Sequence, residues 1–409
     1  MLPANLPLNS MEDNRYPNSL RDGFAITSFV HGQGTYVHPS RKSPSIAFLT
    51  PYPTNTAPGP RFRFEQYYGI LQNHRIRFKV FSFFSEPDYR KVRQQTGRAL
   101  LWPLLKGVVN RLRTLSELLR FDFVFIYREA CPVGPPVLEW IIAQIFRKKI
   151  IYDFDDAIWL TDNRHETIIE SFLRWRGKVK WICRWSHRVS CGNRYLADFA
   201  SKYARQVVVN PTTLDPSRQQ ARLKPEKEPG QEGITIGWTG SHSTLKYLES
   251  FLGIIRQLEE RHPHLRFLVI ADRNPEFALK SFVFKKWNLE TEIDDLLEMD
   301  IGVMPLPNDE WTRGKCGFKI LQYMALGIPT VGSPVGVNAE IISGSNGYLA
   351  TTNTEWIEAL ERLIFDRALR KRLGEEGQRT VIERYSVESN TGNFLALFSL
   401  LNTITNARA

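Results

Sequence analysis

Two series of short, almost uninterrupted apolar runs, each run followed by a helix-length segment, constrain this 409-residue chain more than any other feature. The first series is Ser45–Thr50 (SIAFLT), Phe78–Phe84 (FKVFSFF), Asp122–Tyr127 (DFVFIY), Lys149–Asp153 (KIIYD) and Gln206–Asn210 (QVVVN). A strand with one wet face alternates polar and apolar residues, so runs without alternation are strands covered on both faces. Helix-length spacers between such strands specify parallel crossovers, and hence a doubly wound α/β sheet. A second series follows at Ile234–Trp238, Leu265–Ile270, Phe282–Trp287, Asp300–Leu306 and Pro329–Ser333, with helices expected over Thr244–Arg261, Phe318–Leu326 and Thr354–Arg384. Between the two lies a stretch rich in Pro, Gly and charge, the composition of a linker.

The expected organisation is a polar N-terminal tail over 1–44, a first domain over 45–212, a linker over 213–232 and a second domain over 233–384. Residues 385–409 are expected to form a C-terminal helix that packs back on the first domain. Open α/β sheets bind ligands beyond the carboxyl ends of their strands, so two facing sheets share a site in the cleft between them. Lysine and arginine number 54 against 43 acidic residues, a formal charge of +11 that favours anionic partners. The four cysteines, Cys131, Cys183, Cys191 and Cys316, are too few and scattered for a disulfide framework, which suits a reducing cytoplasm. No run reaches the 18 apolar residues of a membrane span. Zinc-finger, helix-turn-helix and RNA-strand signatures are missing, so nucleic acid is not an expected partner. The sequence specifies no oligomeric state.

The most specific segment is Gly314–Ser333 (GKCGFKILQYMALGIPTVGS). It reads as loop, helix and strand, and its loop would deliver Lys315, backbone N–H groups at Gly317 and Phe318, a helix N-terminus and Lys319 to one place, which suits a diphosphate. Ile234–Leu248 (ITIGWTGSHSTLKYL) likewise reads as strand, small-residue loop and helix, with Thr239, Gly240 and Ser241 letting the backbone approach a phosphate, and with Lys246 following. In the first domain Pro51–Arg63 (PYPTNTAPGPRFR) follows the first strand and holds Gly59, Arg61 and Arg63. Arg128 and Glu129 end one strand, and Asp153, Asp155 and Asp156 end the next.

These motifs resemble glycosyltransferases of the two-Rossmann-domain GT-B fold, in particular the large retaining family 4. That family carries two glutamates with seven residues between them, in a helix continuing Glu-x-Met-Ala-x-Gly-x-Pro-Val. Gln322-Tyr323-Met324-Ala325-Leu326-Gly327-Ile328-Pro329-Thr330 matches the continuation, with Gln322 in the second glutamate's place and Gly314 in the first's. Asp309 or Glu310 is the candidate replacement for the missing carboxylate.

The resemblance implies a GT-B fold with two Rossmann-like domains facing across a cleft, and transfer of a sugar from a nucleoside-diphosphate donor to an acceptor hydroxyl with retention. Lys246 and Lys319 would neutralise the diphosphate, and Asp155 and Asp156 would position the acceptor hydroxyl. Gly59, Arg61, Thr239, Gly240, Ser241, Lys315, Gly317, Phe318 and Gln322 would bind the donor. Arg63, Arg128, Glu129 and Asp153 would lie on the acceptor side. No metal or other cofactor is required on this reading, because lysines take the metal's place. The implied partners are a nucleotide sugar and a saccharide or lipid-linked acceptor of polysaccharide or glycolipid synthesis.

Phe172–Val189 (FLRWRGKVKWICRWSHRV) spaces its apolar residues by three and four among six basic ones, the pattern of an amphipathic helix. It either covers the first sheet or docks the chain at an anionic membrane surface, so the expected location is cytoplasmic, with peripheral attachment to the inner face of the membrane. Two alternative functions stay open: a non-catalytic basic scaffold with a transferase-like fold, and a nucleotide-sugar epimerase.

Overall fold

The computed structural model describes residues 44–94, 97–162, 174–216 and 233–399, so the expected tail up to Ser43 and most of the expected linker lie outside the described residues. The first sheet contains β1 (Ser45–Thr50), β2 (Arg77–Ser82), β3 (Phe123–Tyr127), β4 (Lys149–Phe154), β5 (Arg188–Cys191) and β6 (Val207–Val209), all parallel, in the order β2-β1-β3-β4-β5-β6. The second contains β7 (Thr235–Thr239), β8 (Arg266–Ala271), β9 (Phe282–Lys286), β10 (Ile301–Met304), β11 (Thr330–Gly332) and β12 (Gly347–Leu349), also parallel, in the order β12-β11-β10-β7-β8-β9. Every residue of β1, β3 and β7 is buried, as the missing alternation requires.

Strand order reverses direction between β1 and β3 in one sheet and between β7 and β10 in the other. Each reversal opens a crevice at the carboxyl ends of its strands, where helices depart to opposite faces. The helices that matter below are α1 (Pro58–Arg63), α2 (Leu101–Leu118), α3 (Lys178–Trp185), α4 (Phe318–Ala325), α5 (Asn353–Phe365), α6 (Arg367–Thr380) and α7 (Val387–Ala396). Phe394 of α7 stacks on Tyr67 at 4.1 Å and joins Phe48, Phe125 and Phe398 in the core on one face of the first sheet. The chain thus returns from the second domain to cover the first. Leu214, at the start of the expected linker, is buried and bridges to Ser386 beside that return.

The fold departs from the sequence pattern in four places. The run Phe172–Val189 is not one helix: its first two residues lie outside the described residues, α3 ends at Trp185, and Arg188 and Val189 start β5. A β-branched, half-apolar end hid a short strand behind a helical period. Lys178, expected on a solvated back, is buried and paired with Glu129 at 2.7 Å. The helix expected over Thr354–Arg384 is broken at Asp366, whose carboxylate caps α6 by accepting from Leu369 N–H. The segment His242–Phe251 winds as a 3₁₀ helix and becomes α-helical only from Leu252.

One ion pair pins α1 to the first sheet. Arg63 donates to both carboxylate oxygens of Asp153, at 3.1 and 2.5 Å, and to Asn210 O, with both side chains fully buried. Burial opposes the guanidinium charge, but the Asp153 carboxylate outweighs it and raises the Arg63 pKa. Arg63 and Asp153, expected on the acceptor side, are therefore structural: desolvation has spent both on each other. Removing one partner of such a pair leaves a buried charge alone. Arg63→Met should cost about 3–5 kcal/mol in urea unfolding, and adding Asp153→Leu should recover part of that loss. A cost below about 1 kcal/mol would show that the pair does not brace the domain.

Candidate functional site

A cavity of about 540 Å³ opens between the carboxyl ends of the two sheets, at both strand-order reversals. Its first-domain wall comes from the loop after β1 through Gly59, from Tyr127 and Arg128 at the end of β3, and from Asp155 and Asp156 after β4. Gly59 is required by contact: a Cβ there would lie 1.9 Å from Tyr127 Oη. Tyr127 Oη–H donates to Asp155 Oδ1 at 2.8 Å. Arg128 sits at φ 61°, a left-handed conformation costly for a long side chain, and this turn sends its guanidinium to both Asp155 (2.7 Å) and Asp156 (2.5 Å).

The second-domain wall is the loop and N-terminus of α4. Gly317 caps that helix at φ 68°, where a side chain would strain the backbone and its Cβ would meet Ile341 at 2.3 Å. Lys315 crosses the cleft to Asp156 at 2.9 Å, and Asn193 Nδ2–H donates to Lys315 O at 3.0 Å. Burial pushes the Asp156 carboxyl up, but Lys315 and Arg128 outweigh it and hold the group below the usual carboxylate range. Phe62 and Phe318 meet at 4.2 Å on the cavity wall, one ring from each domain. Among the described residues no acceptor pairs with Lys319, whose ammonium lies 5.3 Å from the Trp238 ring. Burial and neighbouring Lys315 pull its pKa down to about 8.

Lys315, Gly317, Phe318, Lys319, Gln322, Thr239, Gly240 and Ser241 line this one cavity with Gly59, Arg128, Asp155 and Asp156. Five expected residues, Lys246, Arg61, Arg63, Glu129 and Asp153, do not. Lys246 turns to Asp162, itself on the cavity wall, donating to Oδ1 at 2.6 Å. Arg61 pairs with Glu292 across the cleft at 2.9 Å. Glu129 is held by Lys178, and Asp153 by Arg63. Asp309, offered as a replacement carboxylate, caps a short helix by accepting from Thr312 N–H, and neither it nor Glu310 lines the cavity. The amides of Thr239 and Gly240 are engaged by Tyr323 Oη and Ile270 O, so that loop offers close approach rather than free N–H groups. Gly314 has no room for a carboxylate, since a Cβ would lie 2.8 Å from Ala157 Cβ of the first domain.

Among the cavity residues that escaped the sequence reading are Glu292, His242, Asp272 and Trp287. Glu292 accepts from Trp287 Nε1–H at 3.1 Å, from Arg61 and from Gln322 Nε2–H at 3.4 Å. His242 Nδ1 lies 3.0 Å from Asp272 Oδ2. Asp272 and Trp287 immediately follow β8 and β9, and the rule that ligands bind beyond strand carboxyl ends points to both positions. Among the described residues, no group of three or more metal-ligating side chains gathers here or elsewhere.

Residues 233–366, the second domain's sheet and helices, match the family model described as "Glycosyl transferases group 1". Sucrose-phosphate synthase from Thermosynechococcus elongatus superposes with a TM-score of 0.64 at 13% identity, over 89% of this chain and 100% of that one. HepE of Anabaena, in complex with UDP and glucose, gives 0.59 at 14% identity over 87% and 99%. A glycosyltransferase from Rickettsia africae gives 0.60 at 13% identity over 88% and 99%. The fold is GT-B. No curated protein sequence matches the chain.

Within this GT-B cleft an unpaired, partly desolvated lysine at a helix N-terminus suits a diphosphate, and its charge sets a pH dependence. A group lowered to about 8 is mostly charged at pH 7 and mostly neutral at pH 9. Pyrophosphate affinity measured by calorimetry should fall as pH rises through 8, and Lys319→Arg should flatten that profile. A wild-type profile as flat as the variant's would remove Lys319 from the anion site.

Proposed function

We propose that this chain transfers a sugar from a nucleoside diphosphate to an acceptor hydroxyl, with retention of configuration. Lys319 carries the reading: it stands at the N-terminus of α4, inside the interdomain cleft, with no carboxylate in ion-pair contact with it among the described residues. The match of the second domain to group 1 glycosyl transferases supports the same chemistry.

In the reaction the bond from the sugar's anomeric carbon to the diphosphate oxygen breaks and the acceptor oxygen bonds to that carbon on the same face. The acceptor's proton passes to the departing phosphate, leaving a glycoside and a nucleoside diphosphate. Charge builds on the leaving diphosphate, so Lys319 and the α4 N-terminus stabilise the transition state more than the ground state. Lys315 is the nearest second cation, and it serves the diphosphate once it exchanges Asp156 for phosphate. Gln322 can accept from ribose hydroxyls where the resembled family uses glutamate. Asp155 and Asp156, both held by the Arg128 guanidinium, orient the acceptor. The acceptor class is a saccharide or a lipid-linked saccharide. No divalent ion is needed, because lysine charge fills its role and both aspartates are already neutralised by cations.

A screen of nucleotide sugars for acceptor-dependent release of nucleoside diphosphate tests the reading. Lys319→Ala should lower turnover by about 10²–10³, as does loss of one donor to a developing anion elsewhere. Lys246→Ala should stay within a few-fold of wild type, because Lys246 faces Asp162. Activity should persist in excess EDTA. No turnover and no thermal shift with any nucleoside diphosphate would favour a scaffold instead, the reading that Gly314 supports by leaving the cleft one carboxylate short.

A further inference from the structure

Helix α2 is built inside out. Its buried side carries Pro103, Gly107, Arg111, Thr114 and Leu118, at helical steps of three and four. Only Leu118 among them is a large apolar residue. Gly107 presses on Phe83, to which a Cβ would come within 2.1 Å, and Arg111 is satisfied by the carbonyls of Thr50, Phe81 and Ala130 at 2.7–2.8 Å. The opposite side holds Leu101, Trp102, Leu105, Val109 and Leu112, each 46–63% exposed. Amphipathic helices of a folded domain turn such residues to the core, so this stripe is made for a surface outside the chain.

Beside the stripe runs a row of cations at seven-residue steps, Lys106, Arg113 and Arg120. Lys106 lies over the Trp102 ring at 5.6 Å and pairs at 3.7 Å with Asp88. The helix's one acid, Glu117, is taken by Lys79. The surface also continues sideways. The crossovers from β2 to β3, β3 to β4 and β4 to β5 advance in one direction along the sheet, so their helices share one face, and Leu118, Ile142, Val179 and Ile182 meet in one core. The outer sides of those neighbours expose Trp140, Ile145 and Trp181, with Lys180 and Arg184 against the Trp181 ring.

We propose that this face of the first domain docks on an anionic lipid bilayer, with α2 lying in the plane of the interface. An apolar stripe flanked by cations and tryptophans matches acyl chains beneath negative headgroups. A second copy of the chain fits less well, because it would set one cationic row against another. The α2 face replaces Phe172–Val189 as the main contact, since Lys178 is buried there and α3 is short. At about 1.5 Å per residue, α2 offers a contact roughly 27 Å long. The docking does not rest on the glycosyl-transfer reading.

Sedimentation of the full chain with phosphatidylglycerol-containing vesicles, against pure phosphatidylcholine, tests it. Partition should be at least tenfold higher on the anionic vesicles and should fall with salt. Leu105→Ser with Leu112→Ser should lose at least tenfold of it, with thermal midpoint and pyrophosphate affinity unchanged. Lys106→Glu with Arg113→Glu gives a second variant, expected to lose binding on anionic vesicles. Absence of wild-type partition at low salt, equal partition onto neutral vesicles, or unchanged partition of the variants would each overturn the proposal. So would a solution dimer by light scattering that the Leu105→Ser, Leu112→Ser variant dissolves without any vesicle binding by wild type.

Discussion

A chain of desolvated charges holds the two domains in register. Arg128 bridges Asp155 and Asp156 within the first domain, and Lys315 reaches Asp156 from the second. Each charge is partly removed from water, so each depends on the next, and opening the cleft would strand them. The same network fixes what the cavity can do. It pairs two carboxylates with cations, and among the described residues it leaves Lys319 without an ion pair of its own. Glycines at 192 and 314 let the walls close to this distance, since a Cβ at Gly192 would lie 2.3 Å from Cys316 Sγ and one at Gly314 2.8 Å from Ala157 Cβ.

Much of this was legible in the sequence, and the reasons differ by residue. Apolar runs without alternation have only one common explanation, and the strands they mark are present. The short strand Arg188–Cys191 was hidden because its residues extend the three-and-four spacing of the helix before it. Motif position found Lys315, Gly317, Lys319 and Gln322, since a loop-helix unit after a strand fixes where they go. It could not find their partners. Whether Arg63 faces substrate or a buried Asp153 depends on Asn210 and Ser190, far away in sequence. Lys246 was misplaced because its partner Asp162 lies 84 residues away, out of reach of any local pattern. Glu292 and Trp287 belong to no motif and enter the cavity only through the strand order.

The departures from the resembled family have a packing origin. Gly314 abuts Ala157, so the first domain occupies the space in which a glutamate would stand. Gln322 has Glu292 within 3.4 Å, and that carboxylate is steadied by Trp287 and by Arg61 from the opposite domain. Negative charge stands instead at the start of a neighbouring helix, Glu292–Leu297, where it also ties the domains together. Helix α2 shows a related logic at the surface: Gly107, Arg111 and Thr114 share its buried side with Leu118, which leaves Leu101, Leu105 and Leu112 for an external contact.

The central claim is that Lys319 and the α4 N-terminus receive a diphosphate inside the cleft. A crystal structure of the chain grown with a nucleoside diphosphate tests this most directly. The account predicts phosphate oxygens within hydrogen-bonding distance of Lys319 Nζ and of the amides at the start of α4, with the ribose near Gln322 and Glu292. A nucleotide bound elsewhere on the surface, or a cleft that stays closed by Lys315 and Asp156 with no phosphate beside Lys319, would contradict it.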